Sequence, residues 1–398
     1  MFNDIEKFIS FTEREGFNEK QKLKSKLYPD SDKGYSLLEL CCYHGSVDCF
    51  KLLRTKFNSE ITQTCLNLSF LGGNAEIMSE CLKYQTPDSF CMEYAIISHN
   101  IDFVTFLMYE YNIKIDVEYC GLFKNLESFL VYFDKTNDVN RCFIYSAMFD
   151  ITSLCEYFLS SGANMNFKNE DRKTVLHYAA QFCRKEIMEL FIPHGAYINE
   201  KDKYGKTALY YALISNNKEI VAFLLSYDAT IGCLKRCDGK KAIHFAVQYS
   251  SKEIVELLLH FGANISEEDK NGKTALHYAA KYNRKEIAEL LISHGANINE
   301  KDKNGKIALH YAAEKNSKET AELLISHGAN INEKDIHART ALHDAAEKNS
   351  KEMAGILLSH GANINEKDKY GYTALYLALL NKSKEIVEFL RSHGAKIN

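Results

Sequence analysis

Fourteen histidines and twelve cysteines are the side chains of this 398-residue chain best suited to hold a metal or to serve as base and nucleophile. Imidazole and thiolate are common zinc ligands, and a Cys–His or Ser–His pair can carry acyl transfer. Spacing decides whether such chemistry is present. Nine cysteines fall before residue 156 and none follows Cys237. No CxxC pair occurs, and Cys233 and Cys237 have no second ligand pair nearby, so no metal site is expected. The cysteines read as reduced core thiols of a cytoplasmic protein. His177, His244, His277, His310 and His343, with Tyr210 and Tyr376 in the same register, recur in steps of 33 or 34 residues. His194, His260, His294, His327, His360 and His393 form a second recurring set. A residue present in every unit serves a need that every unit shares, and that need is structural. His44 and His99 read as surface or packing residues. The chain has no Walker loop, GxSxG or HExxH, so no enzyme and no cofactor are expected. The "NEKDK" strings interleave Glu and Lys and read as a solvated edge with a capping Asp.

The elements that position these residues emerge from one unit, Asp269 to Glu300. Asn271-Gly272 in "DKNGK" favours a tight turn. Thr274 is expected to cap a helix, its hydroxyl accepting a backbone N–H. "ALHYAAKY" is a first helix, with Ala279 and Ala280 admitting close neighbours. Asn283 tolerates the left-handed geometry of the break. "KEIAELLISH" is a second helix, and Gly295 suits its C-terminal turn. Each helix has roughly nine residues, whereas isolated helices below about 12–15 residues are marginal in water. One unit therefore cannot stand alone, and stacked neighbours must supply the missing burial.

The order of these features resembles the ankyrin repeat: hairpin Asp and Gly, "TALHxAA", "KEI", paired leucines and "GAxIN". The resemblance implies an all-α solenoid of helix-turn-helix pairs joined by hairpin-like loops. It gives Thr174, Thr207, Thr274, Thr340 and Thr373, the five recurrent histidines of the first helix, and Gly195, Gly262, Gly295, Gly328, Gly361 and Gly394 as the structural signature. It also implies that the first histidine class ties to neighbouring backbone across the hairpin. Ala replaces the family's usual Pro after Thr, and Asn, Ser, Cys or Lys replaces the Gly between the helices. Seven such repeats are expected over residues 169–398. Repeat 228–261 lacks the helix-ending Gly, the "NINEKD" string and the capping Thr, so a distorted hairpin and weaker coupling are expected there.

Residues 1–168 keep the two-helix rhythm but lose the signature, as in "GYSLLELCCYHGSVDCFKLL" (Gly34 to Leu53). They read as degenerate, mostly helical repeats capping the stack, with a separate helical domain as the alternative. With the array, this segment resembles a region of unknown function that precedes ankyrin repeats in protist proteins, trichomonad ones above all. Length alone suggests two to three domains. The net charge of −4 excludes a general nucleic-acid binder. No apolar run is long enough to span a membrane, and the N-terminus lacks the pattern of a secretory signal.

Information about a partner lies where the copies differ. The resemblance implies binding through hairpin tips and the concave side of the first helix. At the tips these are Tyr204, Lys206, Asn271, Ile336, His337, Arg339, Tyr370 and Tyr372. "IHAR" drops the turn glycine and puts Ala338 where a positive φ is expected. Along the first helix, one varying row runs Phe182, Ser215, Tyr249, Tyr282, Lys315, Lys348, Asn381. A second row, from Tyr178 through Tyr211, Phe245, Tyr278 and Tyr311 to Asp344 and Leu377, reads either as packing between repeats or as an exposed ladder. The expected function is a non-enzymatic adaptor or scaffold for a protein partner, without nucleic acid, membrane or small-molecule substrate. The alternative is a regulatory or accessory subunit of an enzyme, or an enzyme whose activity lies in the N-terminal region.

Overall fold

The computed structural model describes residues 4–18, 20–25, 28, 34–232 and 239–396. Cys233 and Cys237 lie outside the described residues. The chain divides into two compact units, Met1–Asn164 and Met165–Asn398.

The first unit opens with helix Ile5–Thr12 and a two-residue antiparallel ladder, Lys22↔Ser36 and Leu23↔Tyr35. Five helix pairs follow. They are Leu37–Tyr43 with Val47–Lys56, Gln63–Leu71 with Ala75–Leu82, and Ser89–Ile97 with Ile101–Glu110. Val117–Leu122 with Leu126–Thr136, and Val139–Ser146 with Thr152–Ser160, complete the set. First helices of successive pairs pack on one another, as do the helices within each pair. The pair at 117–136 has no counterpart in the sequence reading. Its first helix has only six residues, too few to show a period, and Gly121 lets Met148 approach so closely that a Cβ would lie 2.6 Å from its sulfur. Polar caps survive where the repeat signature does not: Thr62, Asn74, Asp88, Asn100, Asp116, Asn125 and Asp138 each accept a backbone N–H at a helix start.

The second unit holds seven helix pairs among its described residues. The fourth is typical. Ala275–Lys281 buries Ala279 and Ala280 completely, and Lys285–Ser293 buries Ile287, Ala288, Leu290 and Leu291. The alanines bring the next first helix, Ala308–Lys315, against this one, which is the burial that a seven-residue helix needs to persist. Asn283 takes φ +52° at the break between helices, and Cys183, Asn216, Asn316, Asn349 and Lys382 take the same left-handed turn. Ser250 does not: its φ is −106°, so the break in repeat 228–261 is extended instead.

Two further devices link successive copies. Hairpin backbones bond directly, with the Lys303 N–H donating to the Asn271 carbonyl at 2.9 Å and Ile336 to Asn304 at 2.9 Å. An asparagine of the "GAxIN" loop spans to the following copy. Asn299 Oδ1 accepts the Asn330 N–H at 2.8 Å while its Nδ2 donates to the Gly328 carbonyl at 3.3 Å. Asn199, Asn332 and Asn365 accept from Thr230, Asn363 and Lys396 in the same way. The register falls on Gly232 and Ser266 around the divergent repeat; Gly232 has no side chain, and Ser266 lacks the separate acceptor and donor atoms by which the asparagine amide spans two backbone groups.

Candidate partner-binding surface

The recurrent histidines of the first helix are fully committed within the fold. His277 Nδ1 accepts the Thr274 N–H at 3.0 Å, so the proton sits on Nε2, which donates to the Lys306 carbonyl of the next repeat at 3.1 Å. His177, His310 and His343 repeat this with the carbonyls of Lys206, Arg339 and Tyr372, and His244 with that of Glu267. Each ring replaces the capping carboxylate of a helix start and staples its repeat to the next. The Thr274 hydroxyl lies 2.9 Å from the same Nδ1 and does not cap a backbone N–H, contrary to expectation. Only where Tyr replaces His does Thr cap directly, as Thr207 does for the Tyr210 N–H and Thr373 for the Tyr376 N–H. Burial pushes His177 down to about 4 and lowers His244, His277, His310 and His343. With both nitrogens occupied, these rings have no lone pair to offer a metal. The second class closes its helix: Nδ1–H of His294, His327 and His360 donates to the carbonyl four residues back, each at 2.9 Å. Among the described residues no group of three or more His, Cys, Asp and Glu is placed to hold a metal ion. In the first unit, burial pushes the Cys41 and Cys142 thiols up to about 12.

The aspartate of "NEKDK" caps backbone N–H groups, as expected, and does so buried in the hairpin beneath the string's solvated Glu and Lys. Asp302 Oδ1 accepts the N–H groups of Asn304 and Lys306, and Oδ2 accepts the Tyr311 hydroxyl at 2.5 Å. Tyr211 and Tyr278 serve Asp202 and Asp269 likewise. The second aromatic row is therefore packing between hairpin and helix. Tyr178, Phe245, Tyr278 and Tyr311 are buried and Tyr211 is half-buried. The Glu and Lys of the string also pair between copies, Lys301 with Glu333 at 2.7 Å and Lys334 with Glu366 at 2.6 Å.

The expected tip residues separate into two kinds. Tyr204, Ile336 and Tyr370 stand out, more than half exposed at 53%, 59% and 63%. Asn271 and Tyr372 are also exposed, and Tyr372 stacks on Tyr376. Arg339 is instead held by the fold: Nη1 donates to Glu347 at 3.2 Å and Nε lies 3.6 Å from Asp368. His337 has a buried Nδ1 without a hydrogen-bond partner and its ring is half-buried. Lys206 lies over the rings of Tyr204, Tyr210 and Tyr211. On the helix row, Tyr249 and Tyr282 are exposed and Phe182 is half-buried. Ala338 takes the left-handed turn at φ +58°, where the other tips place Gly205, Gly272, Gly305 and Gly371.

Comparison with protein families adds the name of the architecture. Models for ankyrin repeats in three copies match residues 143–235, 243–335 and 309–398, together well over half of the chain. The chain belongs to the ankyrin-repeat family. A domain of unknown function, DUF3447, matches residues 57–132. No significant match was found among curated proteins. The second unit is thus an all-α ankyrin array, a type of module that engages other proteins. No helix among the described residues is long and apolar enough to cross a membrane.

Within the ankyrin array, one feature of the helix-one face escaped the sequence reading. The residue before each capping position is a cation in six successive repeats: Lys173, Lys206, Lys240, Lys273, Lys306 and Arg339. Their recurrence one residue before each "TALH"-type string is the signal that the sequence offers. Lys173 Nζ sits over Tyr178 and Tyr211, Lys240 over Phe245 and Tyr278, and Lys273 over Tyr311. The aromatic row is thus roofed by lysines.

Proposed function

We propose that this chain is a non-enzymatic, cytoplasmic adaptor. Its regular repeats, 169–398, hold a protein partner through exposed hairpin tips and the concave helix-one face, and residues 1–168 form a divergent helical part. The observation that carries this reading is the placement of exposed aromatic and aliphatic side chains, Tyr204, Tyr249, Tyr282, Ile336 and Tyr370, on a frame stapled by histidine and asparagine. Large side chains already fixed in place lose little freedom on binding, and aromatics are the usual anchors of an interface. The histidines favour this reading over a catalytic one, because both ring nitrogens are used to hold repeats together.

The test is affinity capture from a cell lysate read by mass spectrometry. Replacing Tyr204, Ile336 and Tyr370 with Ser, or Tyr249 and Tyr282 with Ser, is expected to remove the captured partner while circular dichroism stays unchanged. Capture that survives both sets would end the proposal.

A further inference from the structure

We propose that the helix-one face from Lys173 to Tyr282 is a docking strip for an acidic peptide segment carrying apolar or aromatic residues between its carboxylates; this rests on the protein-binding reading above and names the partner chemistry. Charge complementarity decides the occupant. Eight residues after each cation of the column, the sequence places Gln181, Ile214, Gln248 and Lys281, and only afterwards Glu314 and Glu347. Nine residues after stand Phe182, Ser215, Tyr249 and Tyr282, then Lys315 and Lys348. The early stretch therefore combines lysines with exposed rings and contributes no carboxylate at these positions. Lys173, Lys206, Lys273 and Lys281 make no ion pair among the described residues. The hairpin carboxylates beneath do not neutralise them by direct contact, since Asp202 and Asp269 spend their oxygens on backbone N–H groups and tyrosine hydroxyls. Burial and the neighbouring Lys281 lower the pKa of Lys273 by more than the carboxylates of Asp302, Asp269 and Glu314 raise it. In the later stretch the same column is already answered from within: Lys306 lies 3.1 Å from Asp344 and 3.6 Å from Glu314, and Arg339 meets Glu347 and Asp368.

A peptide fits better than a nucleic acid. The cations form a single column at one per repeat, the adjoining tip carries Asp171, and the net charge of the chain is −4, whereas phosphate backbones are held by strongly basic surfaces.

The test uses the full chain and fluorescence anisotropy with a labelled peptide of repeated Glu-Glu-Phe. Replacing Lys173, Lys206, Lys273 and Lys281 with Gln is expected to weaken binding about tenfold or more, and replacing Lys315 and Lys348 with Gln less than about twofold. A Gln-Gln-Phe peptide is expected to bind at least about tenfold more weakly, and added salt to weaken the acidic peptide. If the fourfold variant loses helical signal, Lys281→Gln alone, on the half-exposed last turn, is read for a loss of about twofold to threefold. No binding of the acidic peptide, equal binding by the lysine variant or by the neutral peptide, or tighter binding of oligothymidylate would each overturn the proposal. Partner capture separates the two readings. Capture kept by the lysine variant but lost with Tyr249→Ser and Tyr282→Ser overturns the strip and leaves the adaptor standing. Capture insensitive to both overturns both.

Discussion

The early and late stretches of the ankyrin array carry the same column of cations in the same register but satisfy it differently. Before residue 283 the lysines rest on aromatic rings; from Lys306 onward they face carboxylates. The change follows from two replacements. Asp344 stands where earlier repeats have an aromatic ring, and Glu314 and Glu347 stand where they have Gln, Ile or Lys. An unchanged frame thus sets its cations over aromatic rings in one half and against its own carboxylates in the other.

The largest expected effect comes from breaking the self-contained half. Asp344 is only 2% exposed and is bound by Lys306 at 3.1 and 3.2 Å. Asp344→Ala removes the main counter-charge of a mostly buried amine and is expected to cost about 2 kcal/mol of stability, measured by urea unfolding. Asp344→Tyr is expected to cost less, because Tyr in this register reaches the hairpin aspartate as Tyr311 does.

Acid acts on both halves through their histidines and on the later half through Asp344 as well. His177 is held down to about 4 by burial, while an unfolded histidine takes up its proton near 6.5. Its contribution to stability is complete above that value and is lost as pH falls toward 4. Asp344 has the opposite sign. Burial raises it to about 6, so between 6 and its ordinary 3.8 the folded chain holds a proton that the unfolded chain releases, and stability gains as pH falls. The whole array is expected to lose stability on acidification, and Asp344→Asn to steepen that loss. Urea midpoints at about pH 7 and about pH 5 check both; an unchanged difference between them would contradict the assignment.

A smaller effect is expected at the tips. Ala338→Gly relieves a left-handed alanine and is expected to add about 1 kcal/mol. Gly305→Ala in the preceding tip is expected to cost more than that, since its Cβ would also press within 3.0 Å of the Ile336 nitrogen. The smallest effect is at Ser266: Ser266→Asn restores an inter-repeat clamp and is expected to add about 0.5 kcal/mol, seen as slower hydrogen exchange in the neighbouring repeats.

Much of this was legible in the sequence because it recurs. Period, helix ends, the breaks at Asn283 and its equivalents, and a structural role for His277 all follow from side chains acting within one unit or on the next hairpin. The capping role of Thr274 was misread because its own histidine competes for it from three residues away. The pairing of Lys306 was illegible for a different reason: its partner lies 38 residues on, in a single copy that departs from the pattern. Arg339 looked like a free anchor on similar grounds, since only the neighbouring Asp368 and Glu347 reveal that it is occupied.

The missing asparagine clamps at Gly232 and Ser266 divide the array unevenly. Stretched from its ends in a single-molecule experiment, the protein is expected to yield first at this seam. The repeats beyond it would then give way as a separate, stiffer block, so the extension trace would show two force levels in place of one.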